Sequence, residues 1–74
     1  MTDGIIPEYL NEDWQLMRAK LRLAAAHATA AAEASTLEDV RKQGGAAQIF
    51  LIDADFARRR LERKSLNHPN GSQQ

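Results

Sequence analysis

Asp53 and Asp55 are the side chains whose type and spacing come closest to chemistry. Within Gln48–Lys64 they follow four consecutive apolar residues, Ile49, Phe50, Leu51 and Ile52. A buried strand of that kind would deliver two carboxylates at its tip, the layout that magnesium-dependent phosphoryl-transfer sites use. Other chemistry is thinner. There is no cysteine, so thiolate nucleophiles, thiolate metal sites and disulfides are excluded. His27 and His68 stand far apart and form no HxxxH or HExxH pair. No Ser/His/Asp group, phosphate loop or second carboxylate couple appears elsewhere.

Whether the Asp pair can act depends on the element that carries it. As a strand ending in DxD, the stretch resembles the nucleophile motif of the haloacid dehalogenase superfamily and, more loosely, toprim and glycosyltransferase carboxylate pairs. That resemblance implies a parallel sheet and further acidic ligands from later strands. The residues after Asp55 contain no further aspartate. On a helix the two carboxylates point about 200° apart and share no metal. Asp55 then pairs with Arg59 one turn on, and Asp53 faces solvent.

Periodicity favours the helix. Leu10, Trp14, Met17, Leu21, Ala24, Ala28 and Ala31 recur at steps of four and three, a packed seam over a helix expected at 12–34. Asn11 is expected to cap its start, and Pro7 suits an earlier first turn. Ser35 and Glu38 stand in capping-box register, marking a turn and a second helix over 36–66. Its seam reads Leu37, Val40, Gly44, Ala47, Leu51 and Ala54, widened by Phe50, Ala57 and Leu61. Gly44 and Gly45 cost a helix about 2 kcal/mol relative to alanine, so they mark either a break or a place where two backbones approach closely. A hairpin pivoting near Ser35 sets them opposite Ala25 and Ala26. It also sets Trp14 opposite Phe56, and Glu8, Glu12 and Asp13 beside Arg58, Arg59 and Arg63.

The expected fold is therefore all-α: an antiparallel helical hairpin of two long helices with a short capped turn near Ser35. It has an N-terminal arm at 1–10, the hairpin at 11–66 and a flexible polar tail at 67–74. The expected hairpin core is Trp14, Met17, Leu21, Leu37, Val40, Leu51, Ala54 and Leu61. A chain of 74 residues builds a marginal core alone, which raises the expectation of dimerisation into a four-helix bundle or docking into an assembly. The competing expectation is that Ile5, Ile6, Tyr9 and Leu10 fold back over the surplus apolar surface of a monomer.

That surplus consists of Leu16, Leu23, Ile49, Ile52 and Phe56, the expected partner interface. Arg59, Arg60, Arg63 and Lys64 form its charged rim or, alternatively, a phosphate-binding sector. Net charge is zero, with acids at Asp3, Glu8, Glu12 and Asp13 and bases concentrated over 58–64. In architecture alone, an alanine-rich hairpin of this length resembles the plasmid copy-number RNA-binding hairpin Rop, the small helical co-chaperones of type III secretion needles and minor bacteriophage assembly proteins. No shared motif accompanies the likeness, and no functional residue carries over. The functional expectation is a non-enzymatic protein-binding module without metal or cofactor, its partner a second copy or another protein, with nucleic acid as the alternative. The start Met1-Thr2-Asp3-Gly4 lacks a basic leader and no apolar run reaches a membrane span, so a cytoplasmic location is expected.

Overall fold

The structure, a computed structural model, describes residues 6–67. The segments 1–5 and 68–74, and with them Ile5 of the arm and nearly all of the expected polar tail, lie outside the described residues. A 3-10 turn at Glu8–Leu10 leads into α1, Asn11–Ala32, and a short connection leads to α2, Leu37–Asn67. The two helices run antiparallel as one hairpin, and the described residues contain no sheet. The DxD stretch is thus helical, and α2 continues through Gly44 and Gly45 without a break.

Local chemistry sets each end. Pro7, with φ −58° and ψ 149°, fixes the entry, and the Leu10 N–H donates to its carbonyl at 3.0 Å. Asn11 is consequently the first residue of α1 rather than its cap, and no side chain caps this end. Buried Leu10 anchors it instead. At the turn, Glu33 N–H donates to Thr29 O and Ala34 N–H to Ala31 O. The cap of α2 is Thr36, whose Oγ1 accepts the Asp39 N–H at 3.1 Å. The capping pair is therefore Thr36 and Asp39, one residue later than the Ser35–Glu38 pair expected from sequence.

That one-residue shift changes the register. Asp13 meets Arg60 and Lys64, and Lys20 meets Asp53, so the expected pairing of Trp14 with Phe56 does not form. Trp14 instead lies under the Arg18 guanidinium, 4.7 Å from the ring centroid.

The seam is built from small residues. Ala24, Ala47, Ala54 and Ala57 are buried together with Leu10, Ala57 at 1 % exposure, and among the described residues no large side chain is fully enclosed. Phe50 turns inward beside them and stacks on His27. The expected core is corrected accordingly: Ala54 is buried, Trp14, Met17 and Leu61 are half-buried, but Leu21, Leu37, Val40 and Leu51 are exposed. The reason is a rotation of α2 by less than one residue's step of about 100°. It exchanges the Gly44–Leu51 line for the Phe50–Ala57 line, in which Phe50 stacks on His27 and Ala57 is buried.

The glycines play no part in a close approach. A Cβ placed on Gly44 or Gly45 would meet nothing within 4 Å, so the expected small-against-small contact with Ala25 and Ala26 is absent.

The expected four-helix bundle is also corrected, because the described residues form two α-helices in one hairpin. Its extents are 55 × 22 × 13 Å. The shortest is about one helix diameter, so each helix packs on one neighbour and keeps most of its circumference in solvent.

Candidate docking surface

The carboxylates that suggested catalysis are held apart. Asp53 turns toward α1, where Lys20 Nζ lies 3.7 Å from Oδ2, so it is not merely solvent-facing. Asp55 turns the other way. Its Oδ1 accepts from Arg58 Nη2 at 2.6 Å and Nε at 3.0 Å, and its Oδ2 lies 2.9 Å from Arg59 Nε. The Arg58 hydrogen bonds, opposed by desolvation and aided by the charges of Arg58 and Arg59, hold the Asp55 carboxyl below its ordinary range. Asp55 and then Glu62 raise Arg58 in turn. Among the described residues no group of three or more His, Cys, Asp or Glu side chains is placed to hold a metal ion.

The basic run is largely committed within the hairpin. Arg58 spans Asp55 and Glu62, Arg59 reaches Asp55, and Arg60 Nε donates to Asp13 Oδ1 at 2.9 Å. Lys64 Nζ lies 2.7 Å from the other Asp13 oxygen. Asp13 is only 5 % exposed, and two cations against one buried carboxylate explain its survival there. Contact with Lys64 first, then the burial that opposes it, then the Arg60 bond set a net lowering of its pKa. Of the four rim residues read from sequence, Arg63 alone makes no ion pair among the described residues.

These contacts give the seam two different edges. Asp13, Lys20 and His27 follow one another at intervals of seven on α1 and reach Arg60 with Lys64, Asp53 and Gln43 across the seam. His27 Nδ1 and Gln43 Oε1 are 2.7 Å apart, a hydrogen bond in which the imidazole donates. Lys20 also stands over the Phe50 ring at 5.4 Å. The opposite edge is apolar. Met17 and Leu21 face Leu51 and Ala54 across an open groove of about 180 Å³ closed at one end by Asp55 and Arg58.

Leu51 forms the crest between this groove and a second one on α2. That second groove, about 410 Å³, is lined by Gln48, Leu51, Ile52, Asp55, Phe56 and Arg59. Both are shallow and open, suited to receiving a protruding side chain rather than enclosing a small molecule.

Several large apolar residues of α2 therefore lie outside, while the buried part of the seam is mainly alanine. Phe56 is 63 % exposed, Ile49 60 % and Leu51 51 %, with Ile52 close behind. The five interface residues read from sequence fall into two groups. Ile49, Ile52 and Phe56 share the outer side of α2. Leu16 and Leu23 lie three residues on from Asp13 and Lys20, beside the polar edge, and do not join them. Leu51 and Leu21, read from sequence as core, belong to the exposed surface. The bulk of Phe50 was the signal for this exchange, since it competes with Leu51 for the seam.

Among the described residues no helix is long and apolar enough to cross a membrane. Comparison with protein families, curated proteins and solved structures gives no match.

Proposed function

We propose that this hairpin is a non-catalytic protein-docking module, with Ile49, Leu51, Ile52 and Phe56 of α2 as its contact surface. The observation that carries the reading is that the buried apolar residues are Leu10 and four alanines while Ile49, Leu51, Ile52 and Phe56 of α2 are exposed. Burial contributes about 0.8 kcal/mol per methylene, so a seam buried mainly through alanines gains little while Ile49, Leu51, Ile52 and Phe56 remain uncovered. Contiguous apolar surface of this kind characterises interaction sites. The pairing of Arg58, Arg59, Arg60 and Lys64 with carboxylates supports a protein partner over a phosphate backbone, since those cations are already engaged.

Site-specific photocrosslinking tests this. The full chain carries a photoreactive phenylalanine analogue in place of Phe56, or in place of exposed Arg22 on the outer side of α1, and is irradiated in the cells that produce it. The reading requires a discrete protein adduct from position 56 and none from position 22. Equal labelling at the two positions, or no adduct at 56, removes it.

A further inference from the structure

The outer side of α2 repeats on a heptad. Lys42, Ile49, Phe56 and Arg63 form one line at intervals of seven, and Glu38, Gly45, Ile52 and Arg59 form a second line beside it. All eight are exposed. Together they make a stripe about 37 Å long at 1.5 Å per residue, apolar in the middle and charged at both ends, on the side of α2 opposite the buried Ala47, Ala54 and Ala57. Gly45 leaves a notch in it. A Cβ placed there would meet nothing within 4 Å, so the stripe carries a hollow at Gly45 and a projection at Phe56, about three turns further on. Its charges differ from end to end. At the start, Glu38 and Asp39 make no ion pair among the described residues, and neither do Arg41 and Lys42. At the far end Arg63 is likewise unpaired, whereas Arg59 holds Asp55 and Glu62 holds Arg58.

We propose that the occupant of this stripe is a second copy of the chain, its α2 lying antiparallel to the first about a two-fold axis level with the bond between residues 50 and 51. This rests on the docking reading above and names the partner. At that register Phe56 of each copy fills the notch at Gly45 of the other, Ile49 meets Ile52, and the free Glu38 meets the free Arg63, each contact forming twice. Arg41 comes beside Glu62 in the same way. One layer opposes association: Lys42 falls against Arg59 of the second copy, softened by the Asp55 carboxylate already on that guanidinium. Other arrangements are worse. A parallel pairing sets Glu38, Lys42, Arg59 and Arg63 each against its own copy and leaves Gly45 facing Gly45. A slide of one heptad in either direction sets Phe56 against Glu38 or Ile49 against Arg59. The four helices of this dimer lie side by side in one layer, each hairpin keeping its own seam. With only Ile49, Ile52 and Phe56 as large apolar contacts from each copy, the interface is small and dissociates on the order of micromolar, so the diluted chain is a single hairpin.

Sedimentation equilibrium of the full chain from about 1 μM to about 1 mM tests this, with circular dichroism of each diluted variant checking that the hairpin is intact. The parent should approach twice its 8.2 kDa mass. Arg63→Glu and Glu38→Arg should each weaken association about tenfold, since each sets like charges together at both ends, and the double variant Glu38→Arg/Arg63→Glu should return to within about threefold of the parent. Lys42→Glu should tighten association about threefold by turning the repulsive layer into a pair. Phe56→Asp should abolish it. A double variant as weak as its two single changes combined, or weakening by Lys42→Glu, overturns the antiparallel register and this inference with it. Association that survives Phe56→Asp overturns both the second copy at this stripe and the docking surface. A chain still monomeric at about 1 mM overturns the second copy alone, and the crosslink at position 56 then decides the docking reading by whether an adduct with a different protein forms.

Discussion

Phe50 lies flat against His27, with ring centroids 5.5 Å apart and planes 11° from parallel, on the side of α2 that faces α1. Lys20 closes over the same ring. Leu51, the next residue, is carried outward. Phe50→Ala should therefore cost about 2 kcal/mol or more, while Leu51→Ala, at a half-exposed position, should cost less than about 1 kcal/mol. Urea unfolding followed by far-ultraviolet circular dichroism measures both. A larger loss at Leu51 than at Phe50 would restore the Gly44–Leu51 line to the seam.

Gly44 and Gly45 supply a second test, because they lie in an unbroken helix with free space where a side chain would stand. Alanine at either position should raise stability by about 0.5 to 1 kcal/mol through helix propensity and a less flexible unfolded chain. Destabilisation by Gly44→Ala would mean that the helices approach one another there after all.

What was legible in the sequence follows the strength of each signal. Period and capping residues identify two helices to within two residues at each boundary, because the 3.6-residue repeat runs on through the stretch that could also read as a strand. Asp55 and Arg59 pair as their one-turn spacing indicates. The rotation of α2 was less legible. Two neighbouring heptad lines, Gly44–Leu51 and Phe50–Ala57, both carry apolar residues, and choosing between them depends on what α1 presents. The aromatic-accepting His27 and Lys20 are polar letters and do not count toward an apolar seam. Asp13 was legible in part: the hairpin set it beside the basic end of α2, at Arg58, Arg59 and Arg63, whereas its partners are Arg60 and Lys64 and its burial at the seam depends on both.

The turn offers a contrast between adjacent residues. Thr36 makes the side-chain bond to the Asp39 N–H, so Thr36→Ala should cost about 1 kcal/mol, as loss of a helix cap does. Ser35→Ala, one residue earlier and exposed, should stay within about 0.5 kcal/mol. Chemical denaturation of the two variants side by side checks the register, and the reverse order would place the cap at Ser35.

Acid should act through Asp13 and Asp55. Both carboxyls sit below their ordinary range in the fold, Asp13 by contact with Lys64 and Arg60, Asp55 by bonds from Arg58. The unfolded chain therefore binds these protons at higher pH than the fold does, and stability rises with pH across the window between the two values. Their contribution is complete above the ordinary aspartate range near about pH 4 and disappears as pH falls through the lowered folded values. Melting temperatures followed from about pH 7 to about pH 2 should decline on the acid side, and Asp13→Asn should flatten that decline while lowering stability at neutral pH. Because Asp55 is the more exposed of the two, salt should weaken its share more than that of Asp13. An acid limb unchanged in Asp13→Asn would show that the Arg60–Lys64 contacts do not hold in solution.

Folding and docking should separate on α2. Phe56 and Ile52 lie on its outer side and contribute little to the seam, so Phe56→Ala and Ile52→Ala should leave unfolding free energy within about 0.5 kcal/mol of the parent. If these residues are interface anchors, the same substitutions should weaken partner binding by about 2 kcal/mol, roughly thirtyfold, because an aromatic or branched anchor loses contacts that water cannot replace. Phe50→Ala should show the opposite pattern, lowering stability first and affecting binding only through the folded fraction. Unfolding midpoints and binding titrations on the same preparations distinguish the two. Loss of helicity in Phe56→Ala comparable to that in Phe50→Ala would place Phe56 in the hairpin's own packing and withdraw it from the docking surface.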